Sequence, residues 1–123
     1  IINSWKEISK EEYISEKNNL EEDMWNFKHF MLKEIFEIPN TSISLYPLSL
    51  LIERNMTYDV QTFEPNAILI GQDGDLGFFI RKDTGDNIFE LGLGALGSLE
   101  MRLKGNDIYD FQDKIQIEYL DED

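Results

Sequence analysis

Three groups of residues have the types and spacing that chemistry could use. Gly92-Leu93-Gly94-Ala95-Leu96-Gly97 matches G-x-G-x-x-G letter for letter and follows an apolar run. In that pattern a glycine loop brings backbone N–H groups onto a pyrophosphate. Asp73, Asp75, Asp83 and Asp86 crowd two turn-forming segments and offer the hard oxygen ligands that divalent cations take. His29 is the only histidine, so any Ser-His-Asp arrangement would have to be built around it. Cysteine is absent, which excludes disulfides, thiolate nucleophiles and cysteine-based zinc sites.

Context removes all three. A dinucleotide loop must lead into a helix that meets the phosphates and then into a parallel strand ending in an acid. Here only Ser98 to Lys104 offers room for a helix before Gly105-Asn106-Asp107 breaks it. The strands before the loop are joined by hairpin turns instead of crossovers, and too few residues follow Gly97 for a second mononucleotide half. The segment therefore reads as a glycine loop without a cofactor. Asp73-Gly74-Asp75-Leu76-Gly77 lacks the alternating ligands and terminal glutamate of a calcium loop, and aspartate with glycine is what tight turns require. His29 falls within an amphipathic helical pattern, away from any nucleophile elbow. With 25 acids present, no chosen pair of carboxylates is informative for glycoside chemistry. No catalytic residue, cofactor or metal is expected, and the chain is not expected to be an enzyme.

The elements that would position these residues fall into two halves. Ser9 to Ile38 reads as helix, either one long helix or two broken near Asn18-Asn19. Ser9 and Glu12 have capping-box spacing, and Leu20, Met24, Phe27, Met31 and Ile35 form one apolar stripe. Pro39-Asn40-Thr41-Ser42 ends it, since proline cannot continue the helical ladder. Strands follow: Ile43 to Tyr46, Ala67 to Ile70 as a strand buried on both faces, Gly77 to Arg81 and Asn87 to Leu91. A short helix over Pro47 to Asn55 interrupts them. The turns Gln72-Asp73-Gly74-Asp75 and Asp83-Thr84-Gly85-Asp86 are short enough to force antiparallel hairpins. Near the end, Ile115, Ile117 and Tyr119 alternate with polar residues, which predicts a half-buried strand. The expected class is α+β, with one or two N-terminal helices packed on an antiparallel, meander-type sheet.

The 123 residues suffice for one domain and are too few for two ordinary ones, so residues 1–123 are read as a single domain. Apolar residues at 41% and aromatics at 12% are too many for a disordered acidic chain. Acids outnumber bases 25 to 11, for a formal net charge of −14. That balance argues against direct nucleic-acid binding and against an anionic membrane surface, and it makes a cationic partner the natural complement. No apolar run reaches the roughly 18 residues of a transmembrane helix. Asn3, Ser4, Lys6 and Glu7 stand where the apolar core of a signal peptide would be, so a cytoplasmic address is expected.

The acids are unevenly spread. From Lys104 onward there are seven acids against two bases, with Asp107, Asp110 and Asp113 spaced three apart. Asp73, Asp75, Asp83 and Asp86 add four carboxylates at the expected hairpin tips. If these groups gather on one side, their field would be strongly negative. It would accelerate association with a basic protein and imitate the phosphate backbone that such a protein binds. These seven aspartates are the expected partner-binding residues.

Part of the chain resembles a known family. Ile43-Ser44-Leu45-Tyr46-Pro47-Leu48-Ser49-Leu50-Leu51, then Asn55 and Tyr58, then Pro65 to Ile80 with its Gly71-Gln72-Asp73-Gly74-Asp75 turn, resembles the SUKH superfamily of Smi/Knr-like proteins. Asn87-Ile88-Phe89-Glu90-Leu91 sits where the next strand of that family would lie. The resemblance spans Ile43 to Leu91, under half of the chain. It implies an immunity protein (antitoxin) of bacterial polymorphic toxin systems, which binds and neutralises a cognate toxin, commonly a nuclease. The charge balance points the same way, because nuclease clefts are basic. The alternative that the resemblance implies is a non-enzymatic scaffold or regulatory adaptor, as in the eukaryotic relatives of the family.

Overall fold

The computed structural model describes residues 35–82 and 84–120. The helix expected over Ser9 to Ile38 lies outside those residues except for its last four positions, and His29 and Asp83 lie outside them too. Ile35 to Ile38 do not form a helix. Phe36–Glu37 is strand β1, and the reason is visible in the side chains. Ile35 is 52% exposed while Ile38 is buried, so the apolar spacing of four that predicted a helix stops short of this point. Phe36 pairs with Leu45 of β2 (Ser44–Leu45), which requires an extended backbone. Pro39 to Ser42 therefore closes a hairpin instead of ending a helix. Ile38 N donates to Ile43 O at 3.0 Å, and the Thr41 hydroxyl bridges Ile38 O and Ile43 N across the turn.

After β2 the chain leaves the sheet at Pro47 for helix α1 (Leu48–Thr57). Asp59, with φ at 51°, reverses it into the single-turn helix α2 (Val60–Phe63). Leu51, Ile52 and Val60 from these helices are buried in the core alongside strand β3 (Ala67–Asp73). Two hairpins then follow through β4 (Leu76–Arg81) and β5 (Ile88–Gly92). Gly74 and Gly85, at φ values of 59° and 65°, supply the left-handed backbone that the two turns need. With β6 (Arg102–Gly105), the described residues form a sheet of six antiparallel strands in sequential order. The segment Ser98 to Lys104, read as the room for a helix between the glycine loop and Gly105, instead runs into this strand, whose Arg102 pairs with Glu90 across the ladder.

Helix α3 (Ile108–Leu120) replaces the terminal strand expected from Ile115, Ile117 and Tyr119. Ile108, Phe111, Gln112 and Ile115 are buried at steps of three, one and three, a helical face, whereas Ile117 is 60% exposed. The start of the helix explains why helix wins. Asp107 caps it, accepting from Asp110 N at 2.8 Å, and Asp110 accepts from Asn106 N at 2.8 Å. An acid in the first turn also complements the helix dipole.

Register fixes which face α3 covers. Phe78, Glu90 and Arg102 stand side by side across β4, β5 and β6, and the Phe78 ring lies 5.1 Å from that of Phe111. Phe79, Phe89 and Leu103 line the opposite face. On that side a Cβ at Gly77 would stand 2.8 Å from Leu93, so the loop after β5 folds back over the sheet there. The fold is α+β with an antiparallel meander. No helix among the described residues is long and apolar enough to cross a membrane.

Gly105 lets α3 seat. A Cβ there would lie 2.6 Å from Phe111 Cα and 2.7 Å from its nitrogen, backbone atoms that cannot swing aside. Gly105→Ala is expected to lower unfolding stability by about 1–3 kcal/mol, as overpacked sites do. Gly94→Ala, where a Cβ meets nothing within 4 Å, should stay within about 0.5 kcal/mol. Urea denaturation of both variants is the check, and equal stabilities would contradict this seating of α3.

Candidate functional site

Among the described residues the most buried polar side chain is Asn55 of α1, which meets the edge of β3. Strand β2 stops at Leu45, and Tyr46 N donates one last bond to Ile70 O at 2.9 Å. Beyond it, the N–H and C=O of Leu69 point at the space that β2 has vacated. The Asn55 carboxamide, 1% exposed, fills that place: Oδ1 accepts from Leu69 N and Nδ2 donates to Leu69 O, both at 2.9 Å. Nδ2 also reaches Leu51 O at 2.8 Å, which binds α1 to itself and to the strand. Gln61 continues the row, donating to Ala67 O at 2.8 Å and to Asn55 Oδ1 at 2.9 Å. A β-bulge between Leu69 and Gly71 sits where the partner of this edge changes from backbone to side chain. Both polar atoms of the Asn55 carboxamide are thus fully occupied, so its role is structural.

A second set lies under α3. Glu90, 5% exposed, pairs with Arg102 and has Lys104 Nζ 3.9 Å from Oε2. Lys104 reaches on to Glu118 of α3 at 2.8 Å, so the acid buried beneath the helix is matched by two cations and tied to its surface. Tyr46 donates to the Gln72 side chain, and burial pushes its phenol well above the ordinary range.

The aspartates expected to meet a partner are dispersed by this architecture. Asp73 accepts from the Tyr119 hydroxyl and so clamps the end of α3 to the β3–β4 turn. Asp107 and Asp110 are spent on the start of the same helix. The Asn106 N–H first, and then Lys114 at 2.9 Å, hold the Asp110 carboxyl below its ordinary value. Asp75, Asp86 and Asp113 are exposed. Consecutive hairpins place Asp75 at one end of the sheet and Asp86 at the other, with the six residues of β4 between them, roughly 20 Å. The hairpin tips therefore do not share a side. Asp73 and Asp75 lie near the C-terminal end of α3, and Asp86 lies near its start, where Gly105 pairs with Ile88.

The glycine loop forms one 3-10 turn, Leu93–Ala95, between two antiparallel neighbours. Gly97 N donates to Glu64 at 2.7 Å, which fastens the loop to the end of α2. Among the described residues no group of three or more histidine or acidic side chains is arranged to hold a metal. The strand reading of the C-terminal segment concealed one surface. On α3, Tyr109, Ile117 and Leu120 are 56%, 60% and 68% exposed. The signal for it was the Asp107-x-x-Asp110 cap followed by Ile108, Phe111 and Ile115, which fixes the opposite side as outward.

Comparison with protein-family models and with curated proteins finds nothing that matches this chain.

Removing the Asn55 carboxamide strands the buried N–H and C=O of Leu69. Asn55→Ala is expected to lower stability by about 2–4 kcal/mol, because each buried, unpaired group costs about 1–3 kcal/mol. A urea titration showing a loss under about 0.5 kcal/mol would contradict this account of the edge.

Proposed function

We propose that this chain is a non-enzymatic interaction domain that binds a cationic protein, and that the partner is a toxin domain which it neutralises by one-to-one association. The carrying observation is electrostatic. The net charge is −14, and the exposed carboxylates of Asp75, Asp86 and Asp113 lie at separate places on the surface. A basic nuclease cleft, built to hold phosphates, is the complement of such a field. The likeness of Ile43 to Leu91 to the Smi/Knr-like superfamily supports the immunity reading, as does the strand, short helix and hairpin order over that stretch. The polar groups that are buried, Asn55, Glu90 and Gln112, make hydrogen bonds within the domain. The proposed place of action is the cytoplasm, where a delivered toxin would meet the chain.

The mechanism is steering followed by occlusion. Long-range attraction raises the encounter rate, and short-range packing sets the residence time. The test is capture of the tagged chain's partner from its host, followed by stopped-flow association of the purified pair across ionic strength. Reversing Asp75, Asp86 and Asp113 together to lysine should slow association about tenfold at low salt and flatten its salt dependence. An unchanged association rate at low salt would overturn the electrostatic mechanism.

A further inference from the structure

The outward side of α3 has a composition that packing among the described residues does not account for. Tyr109, Asp113 and Ile117 follow at steps of four and Leu120 at three more, so they share one line along the helix, about 16 Å from end to end. Three of the four are large apolar side chains more than half exposed. A shallow groove lies on each side of the line. One, of about 220 Å³, is lined by Tyr109, Gln112, Asp113 and Gln116. The other, of about 400 Å³, runs between α3 and β6 and is lined by Leu103 and Ile117 with Lys104, Lys114 and Glu118. The lysines there are already neutralised: Lys114 by Asp110 at 2.9 Å and Lys104 by Glu118 at 2.8 Å. Asp113 is different. Its carboxylate has no hydrogen bond or ion pair among the described residues, and it stands between two apolar groups.

We propose that this face of α3 is the docking surface for a cationic, amphipathic protein segment, with a partner lysine or arginine on Asp113 and apolar side chains against Tyr109 and the Ile117–Leu120 pair. The proposal rests on the cationic-partner reading above and names the surface that carries it. Covering this stripe would bury Asp113, and a buried carboxylate is tolerated only with a cation beside it. An acidic or purely apolar partner is thereby rejected. A second copy docking by a two-fold through the same stripe would set Asp113 near Asp113 and bring two chains of charge −14 together. An anionic lipid surface is repelled by that charge as well. Tyrosine and aliphatic anchors around one charge pair, on a helix face that no other described residue covers, match the way amphipathic segments are held.

The probe is a synthetic amphipathic helical peptide of leucine and lysine, titrated into the ¹⁵N-labelled full chain, with a matched peptide carrying glutamate for lysine as control. Expected are amide shifts concentrated at Tyr109, Asp113, Gln116, Ile117 and Leu120 with the lysine peptide and none with the glutamate peptide. Asp113→Lys should raise the Kd about tenfold and Ile117→Ala about fivefold. Both positions face solvent, and unchanged β3 and β4 amide positions verify the fold of each variant. Lysine-peptide shifts confined to the Asp75 and Asp86 turns, or a Kd indifferent to both substitutions, would overturn the docking surface while leaving the cationic-partner reading in place. Failure of the lysine peptide to bind at all would overturn both.

Discussion

The sheet depends on one carboxamide. A buried strand needs a partner for its backbone groups along its length, yet β2 offers β3 only two paired residues before Pro47 turns the chain away. Leu69 lies in the middle of β3, fully buried, and its backbone groups could not be left bare without a cost of a few kcal/mol. Asn55 supplies one donor and one acceptor on a planar group, which is what a neighbouring strand residue would present. Because the same amide also holds Leu51 O, strand edge and helix are fixed together, and the path of Leu48 to Ala67 follows from that point. With β3 held, its pairing with β4 and the registers of β5 and β6 carry outward across the sheet.

The second constraint is the burial of Glu90. A carboxylate in the middle of β5 requires cations within reach, and β6 brings Arg102 and Lys104 to it. Those cations give the edge strand its charge, and Lys104 passes the connection to Glu118 on α3. The clamp between Asp73 and Tyr119 and the cap at Asp107 and Asp110 then hold the two ends of the helix. A chain with 25 acids thus uses several of them as internal fasteners. Others face outward, and one of them, Asp113, stands among apolar groups on the surface of α3, the face proposed for docking.

The sequence was readable where local chemistry decides. Asp-Gly turns and short apolar runs gave the hairpins β3–β4 and β4–β5, and the class of the fold with them. It misled where two periods overlapped. Ile115, Ile117 and Tyr119 alternate, but Ile108, Phe111, Ile115 and Tyr119 also repeat at helical steps, and the Asp107 cap decides for the helix. Ile35 continued an apolar stripe at a spacing of four, while Phe36 and Ile38 obeyed the two-residue period of a strand. Arg102 to Gly105 carries little strand propensity of its own and becomes a strand through Glu90, a contact twelve residues distant. Asn55 was visible as part of a family-like pattern, but its role was not, since nothing local says that a helix asparagine will complete a sheet. The dispersal of Asp73, Asp75 and Asp86 required the topology, because a meander sends successive turns to opposite ends.

Amide hydrogen exchange at Leu69, followed by NMR on the intact chain, tests most directly whether the Asn55 carboxamide serves as the missing strand. If it does, the Leu69 N–H exchanges as slowly as the amides paired between β3 and β4, opening only with global unfolding. Exchange at the rate of an exposed strand edge would contradict the claim that this one side chain completes the sheet.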